Sequence, residues 1–204
     1  MKKTPPPSRR APWRLLEVSG PVLRGIDAPQ GPVPPFAWDV CPFAGGWAFA
    51  AWDGAGLTAL EAGFADKRAA EKAALAALGH DAPSAFPRPG AAAETLRAAL
   101  AGKTLSLHGA FTDFKLAVFR AAAAIPIGMT ASYGALAATL GRPGAQRAVA
   151  RALASNRFAL AIPCHRVVPA AGGAGGWRWG SALKGTLLAA EARGDPEKLL
   201  SQTE

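Results

Sequence analysis

The chain is poor in the side chains that most enzymes and metalloproteins rely on. Its 204 residues include two cysteines, three histidines, two methionines and one tyrosine. Cys41 and Cys164 form no Cys-x-x-Cys pair, and His80, His108 and His165 are scattered. The sequence therefore offers neither a disulfide framework nor the spacing of a metal site. No apolar run approaches the ~20 residues a membrane-spanning helix needs. The basic start, Met1-Lys2-Lys3, leads into Pro5-Pro6-Pro7 and not into the apolar stretch of a signal peptide, which points to a cytoplasmic protein. Acid is also locally missing: from Phe114 to Ala190 there is no Asp or Glu, against nine Lys and Arg.

The net charge of +9 is unevenly spread. Residues 1–24 carry +5, residues 25–105 carry −2 and residues 106–204 carry +6. A basic C-terminal half suits a polyanion. Patterning divides the chain into a basic, Pro-rich tail expected to be disordered (1–32), an α/β unit (33–105), a mainly helical unit (106–195) and a short tail (196–204). In the α/β unit, strands are expected at 36–40, 47–52 and 57–60, with Asp53-Gly54-Ala55-Gly56 as a hairpin turn, and helices at 66–78 and 91–101. Cys41 reads as a small core residue.

In the second unit, Thr112 can cap a helix with Phe114, Ala117, Val118, Ala121 and Ile125 on one face. Ser132 can cap a short helix from Tyr133, and after Gly-Arg-Pro a further helix is expected from Pro143 to about Ser155. Two short helices so joined predict a helix-turn-helix. On the second, Val149, Ala152 and Leu153 share an apolar arc, while Arg147 and Arg151 stand opposite among alanines. That face suits close approach to a nucleic-acid groove, the alternative being an ordinary solvated surface. A buried strand over 158–162, a glycine-rich loop over 170–176 and a last helix capped by Ser181 and closed by Gly194 complete the unit.

The chemistry concentrates at Pro163-Cys164-His165-Arg166-Val167. A thiol in positive surroundings is expected to ionise easily, with an imidazole beside it to take the proton. Glu191 follows Leu183 and Leu187 at helical spacing, so it is either a buried partner that orients His165 or a helix-end carboxylate bonded to Arg193 or solvent.

These residues resemble the O6-alkylguanine-DNA alkyltransferases (methylated-DNA–protein-cysteine methyltransferases). Pro163 to Val167 carries the resemblance, with Ile125-Pro126-x-Gly128, Ser132-Tyr133, Arg147-Ala148-Val149, Asn156, Trp177-Arg178-Trp179-Gly180 and Glu191 at similar spacings over roughly 105–194. The resemblance implies a ribonuclease-H-like α/β domain followed by a winged helix-turn-helix domain with an active-site loop. It implies a DNA repair protein that flips O6-alkylguanine, and less well O4-alkylthymine, from double-stranded DNA. The alkyl group then passes irreversibly to Cys164, once per molecule and without a cofactor or metal. His165 would activate the thiol through water and Glu191 would orient His165. Tyr133 would contact phosphate and give a proton to the leaving base, and Asn156 would brace the turn. Arg147 would act as an arginine finger, with Arg142, Ala148 and Arg151 also at the DNA and Trp177, Arg178 and Val167 lining the pocket. The implied protein is a monomer, cytoplasmic and at the bacterial nucleoid. Trp177 stands where many members have Tyr, Arg178 where some have Ser, and Phe119 at a position commonly Trp. Rival readings are a damage sensor without chemistry, which would lack the thiol, a helix-turn-helix regulator with an inert cysteine, and a cysteine hydrolase, for which no oxyanion-hole motif is visible.

Overall fold

In a computed structural model of the chain, residues 13–19, 22–25, 36–79 and 85–200 are described. The fold is mixed α/β. The expected N-terminal strands are β3 (Ala37–Phe43), β4 (Gly46–Trp52) and β5 (Leu57–Phe64), an antiparallel meander. Asp53 closes the β4–β5 turn by accepting from the N–H groups of Ala55 and Gly56 at 2.9 and 3.0 Å. Side chains alternate across the sheet. Ala48 and Ala50 enter one core, Phe49 and Ala51 the other.

Helix α1 (Lys67–Leu78) covers the Phe49 face, capped by Asp66, which accepts from Ala69 N at 2.8 Å. After β6 (Phe86–Pro87), helix α2 (Ala91–Leu100) covers the opposite face. Gly90 offers α2 no side-chain cap, and buried Asp39 of β3 instead accepts from the open Ala92 N–H at 2.9 Å. Cys41 is buried there, as expected, and burial together with Asp39 pushes its thiol up to about 12.

Three expectations about the domains change. β7 (Leu105–Ala110) continues the sheet past the expected boundary at 105, beside β5. β1 (Trp13–Ser19) and β2 (Val22–Gly25) fall in the stretch expected to be a disordered tail, yet β1 pairs with β7 from Trp13↔Ala110 to Val18↔Leu105. Flanking prolines and basic residues hid this strand, and the rest of the expected tail lies outside the described residues. The sheet order is β2-β1-β7-β5-β4-β3-β6. At the other end, Pro196–Leu200 is a 3-10 turn, not a loose tail, because its one deeply apolar contact docks: Leu199 is buried, and its carbonyl accepts from Ala44 N at 2.8 Å.

Four helices follow. Helix α3 (Asp113–Ala123) is capped by Thr112 and α4 (Tyr133–Thr139) by Ser132, both as expected. The face expected for α3 is only partly the buried one. Leu116, Phe119, Ala122 and Ala123 are buried with Val118, while Phe114, Ala117 and Ala121 are half-buried. A helix apolar nearly all round does not reveal its deepest face by spacing. Helix α5 (Gln146–Ala154) starts three residues later than expected, because the chain is still turning through Pro143 and Gly144. Helix α4 is closed beyond Thr139 by Gly141, whose φ of 67° lets the N–H of Arg142 reach Ala137 O and that of Gly141 reach Ala138 O. Helix α6 (Ser181–Arg193) closes at Gly194, but Ser181 is its first residue and makes no capping bond.

The run 158–162 is buried but is not a strand. Only Phe158 bridges Leu60, where β5 has lost its β7 neighbour: Leu60 N donates to Arg157 O and Leu60 O accepts from Ala159 N, both at 2.7 Å. The chain then turns through Leu160 (φ 67°) toward Cys164. One core runs from Cys41 and Phe43 through Phe111 and Phe158 to Cys164 and Leu187.

Candidate active site

Residues Cys164–Arg166 form a single 3-10 turn, followed by the two-residue strand β9 (Val167–Val168). β9 pairs in parallel with β8 (Ala131–Ser132), immediately before α4, and this pairing brings Tyr133 to the cysteine turn. From the other side, Asn156 is wholly buried where α5 ends. Its Oδ1 accepts from Phe158 N at 2.9 Å, and its Nδ2 donates to Ile162 O at 3.0 Å and to Cys164 Sγ at 3.2 Å. The Trp177 indole N–H donates to the same sulfur at 3.1 Å.

The thiol lies at a pocket of about 270 Å³ lined by Tyr133, Ala150, Leu153, Ala154, Trp177 and Arg178. Tyr133, Trp177 and Arg178 are therefore assembled around Cys164. Val167 is not: it is buried in the β8–β9 pair, because the parallel register turns it into the core, and its carbonyl accepts from Lys184 Nζ at 2.7 Å. Arg142, Arg147 and Arg151 are exposed and Ala148 is half-buried. Arg142 lies over the Phe114 ring at 5.3 Å. Among the described residues Arg147 and Arg151 make no ion pair with a carboxylate.

Behind the thiol, His165 is buried and its Nε2 meets Glu191 Oε1 at 2.8 Å. Of the two readings of Glu191, the buried one holds; Arg193 pairs with Asp195 instead. Arg166, a motif residue whose partner the sequence leaves open, binds the same carboxylate through Nε to Oε2 at 3.0 Å and Nη2 to Oε1 at 2.8 Å. Its Nη1 donates to Ile125 O at 2.8 Å. Burial acts to raise the Glu191 carboxyl, but the hydrogen bonds and charges of His165 and Arg166 overcome it and bring the group down to about 2. The carboxylate is thus an acceptor, so Nε2 carries a hydrogen and Nδ1 a lone pair. Nδ1 is buried with no hydrogen-bond partner among the described residues. Burial, despite the pull of Glu191, lowers the His165 pKa, so the ring is neutral near pH 7.

The expectation that Cys164 ionises easily is corrected. Burial dominates and raises its pKa, while the N–H groups of Asn156 and Trp177 and the charge of Lys184 pull it down. The surrounding positive charge is also smaller than the local absence of acids suggests, because carboxylates from outside the stretch reach in. Glu191 takes Arg166, and Glu61 of β5 takes Arg157 at 3.2 Å and Arg178 at 3.3 Å. Burial, followed by the nearness of Cys164, raises the Tyr133 pKa and keeps its hydroxyl protonated.

Lys184, Arg166 and Glu61 escaped the sequence reading. Lys184 is fully buried and stands seven residues, two helical turns, before Glu191 on the same face of α6, a spacing that could have revealed it. Among the described residues no group of three His, Cys, Asp or Glu side chains could hold a metal ion.

Comparison with known proteins bears on this arrangement. The family profile described as 6-O-methylguanine DNA methyltransferase, DNA binding domain, matches residues 113–193. The "Regulatory protein ada" of Salmonella typhimurium is 47% identical over 102 residues, half of this chain, which covers only 28% of that longer protein. The methylated-DNA–protein-cysteine methyltransferase of Mycobacterium tuberculosis is 41% identical over 122 residues, 55% of this chain and 73% of the relative. The crystal structure of M. tuberculosis OGT in complex with DNA superposes with a TM-score of 0.61 at 30% identity, covering 81% of this chain and 99% of that one. The shared residues thus extend through the helical half, and the shared fold through nearly the whole of a solved relative: the chain belongs to the methylated-DNA–protein-cysteine methyltransferase family.

Proposed function

We propose that the protein repairs DNA by taking the alkyl group of O6-alkylguanine onto Cys164, irreversibly and once per molecule. The observation that carries this reading is the buried Cys164 thiol at a pocket of about 270 Å³, backed by an ionised Glu191 that leaves His165 Nδ1 free to accept a proton. His165 Nδ1 takes the thiol proton through a bridging water, and the imidazolium formed is held by Glu191. Sulfur attacks the alkyl carbon, the carbon–O6 bond breaks, and the electron pair leaves with guanine. The leaving base is protonated by Tyr133, whose hydroxyl stays protonated until then. A thioether has no easy way back to a thiol, so no cofactor is called for and each molecule reacts once.

The substrate base must leave the duplex to reach a buried sulfur. The exposed face of α5 supports a DNA-binding role: Arg147 enters the stack in place of the flipped nucleotide, with Arg142, Arg151 and Ala148 against the backbone and Tyr133 at the neighbouring phosphate. In this reading α4 and α5 are a helix-turn-helix with the glycine-rich loop as wing, and the sheet through residue 110 is a ribonuclease-H-like domain. Asn156 braces the turn. The protein acts as a monomer at the bacterial nucleoid, and O4-alkylthymine is a poorer substrate.

The test is incubation with a duplex carrying one O6-methylguanine, then mass analysis of the tryptic peptide Phe158–Arg166. One methyl increment on Cys164, never more than one per molecule and absent from Cys164→Ser, is expected. Tight binding to the damaged duplex without that increment would make the protein a sensor.

A further inference from the structure

We propose that Glu61, on strand β5 of the N-terminal sheet, is a positioning residue that clamps the aromatic wall of the thiol pocket and thereby limits the size of the group Cys164 can accept. The proposal rests on alkyl transfer as the activity. Glu61 is buried, and its carboxylate gathers three side chains from the C-terminal half. Trp179 Nε1 donates to Oε2 at 3.3 Å, Arg178 Nη2 donates to Oε2 at 3.3 Å, and Arg157 Nε donates to Oε1 at 3.2 Å. Arg157 and Arg178 remain about two-fifths exposed, whereas Trp179 is buried. The indole therefore has no solvent to fall back on, and Glu61 is its partner.

From Trp179 the chain of contacts leads to the sulfur. The Trp179 ring meets Trp177 edge-on at 4.8 Å, and the Trp177 N–H donates to Cys164 Sγ. Trp177 also packs edge-on against His165 at 5.9 Å. A second feature of β5 serves the same docking. At Gly63 (φ +84°) a Cβ would stand 2.8 Å from the Trp179 carbonyl oxygen, so only glycine lets that backbone sit against the strand. Two neighbouring positions of one strand, one by charge and one by absence of bulk, thus fix the Trp177–Trp179 segment. Opposite it stand Tyr133, Ala150, Leu153 and Ala154, the α4 and α5 side of the pocket, so the width across the thiol depends on where that segment is held.

Glu61→Ala and Gly63→Ala release the wall by different means, the second keeping the carboxylate. The rate of alkyl transfer is measured on duplexes carrying O6-benzylguanine or O6-methylguanine, and Cys164 is separately labelled with iodoacetamide. In either folded variant the benzyl-to-methyl rate ratio and the iodoacetamide rate should rise by about threefold or more, the scale of one modest hydrogen bond. Glu61→Asp should fall between Glu61→Ala and wild type. General loosening of the fold would slow both substrates alike and leave their ratio unmoved. A ratio and a labelling rate that both change by less than about threefold overturn the clamp. If Glu61→Ala does not fold, Gly63→Ala and Arg178→Ala decide by the same ratio. If wild-type protein transfers no alkyl group, the proposed activity fails, and iodoacetamide labelling alone still decides whether Glu61 holds the wall.

Discussion

Replacing Glu191 by Gln tests the relay and the packing around it together. The carboxyl is held at about 2 against an ordinary value of 4.5. That difference corresponds to about 3 kcal/mol of stability near neutral pH. The figure agrees with the roughly 3–5 kcal/mol lost when a buried ion pair is broken by removing one partner. Here the stranded partner is Arg166, whose Nε and Nη2 both donate to Glu191. Equilibrium urea denaturation should show the midpoint falling by roughly 1 M, for a slope of about 3 kcal/mol per molar. The sign of the pH dependence follows from the lowered value. The contribution is fully present above about 4.5 and disappears as pH falls through about 2, so the gap between wild type and Glu191→Gln should narrow to less than half at pH 3. A gap that stays constant from pH 7 to pH 3 would refute a charge-based origin. Methyl transfer should also slow by roughly 10²-fold or more, within the range of general acid–base contributions. The glutamine carbonyl can still accept from Nε2–H, but it cannot hold the imidazolium. An unchanged transfer rate would remove Glu191 from the relay.

Asn156→Ala strands the Phe158 N–H and removes a donor from Ile162 O and from Cys164 Sγ; it should cost on the order of 2–3 kcal/mol in thermal or chemical denaturation, and a loss under about 0.5 kcal/mol would contradict the brace. Arg147→Ala should leave stability within about 0.5 kcal/mol, since the side chain is exposed. It should slow repair of duplex DNA far more than reaction with free O6-benzylguanine, and equal losses would end its role in flipping. In binding titrations against salt, the same variant should reduce the steepness of the log–log slope by about 1, and a flat wild-type response would count against the DNA face. The rate of iodoacetamide labelling of Cys164 should keep climbing with pH past the ordinary thiol value of 9.0 before it levels off, and Lys184→Met should move the levelling-off higher still, because the lysine charge favours the thiolate. Labelling of wild type that saturates at pH 7 would contradict the resting thiol described above.

The helical half was largely readable because its signals are local. Thr112 and Ser132 are caps followed by apolar periodicity, and Glu191 betrays itself as an acid set in a leucine arc. Failures came where contacts join distant segments. Strand β7 looked like the start of the helical half because its partners are β1, some ninety residues earlier, and β5. The run 158–162 has the composition of a strand, but only Phe158 finds a partner, bridging Leu60 of β5 beyond the point where β7 pairs, before the chain turns away at Leu160. Composition also misjudged the thiol. An absence of acids in sequence is not an absence of acids in space, and Glu61 and Glu191 supply the missing charges. Glu61 lies in Leu57-Thr58-Ala59-Leu60-Glu61-Ala62, where a carboxylate amid apolar neighbours marks a buried partner whose identity the sequence leaves open.

The sharing of Glu191 between His165 and Arg166 bears on how the relay can work at neutral pH. A buried carboxylate bonded to an imidazole alone would raise the proton affinity of the ring strongly and tend to leave it charged, unable to accept from the thiol. Arg166 opposes this twice: it donates hydrogen bonds to both oxygens of the same carboxylate, and its own charge, with that of Lys184, disfavours the imidazolium. With burial, which lowers the ring's pKa most, these charges let His165 keep the orientation that Glu191 imposes without the charge that Glu191 alone would impose. The thiol is balanced in the same manner, raised by burial and lowered by two N–H donors and Lys184. Both members of the pair are thus neutral at rest, and proton transfer between them creates two opposite charges that groups already in place can receive: Asn156, Trp177 and Lys184 at the sulfur, Glu191 at the ring. The proposed single transfer to Cys164 benefits from this arrangement, because the nucleophile forms within the pocket and is not held as a standing thiolate open to any passing electrophile.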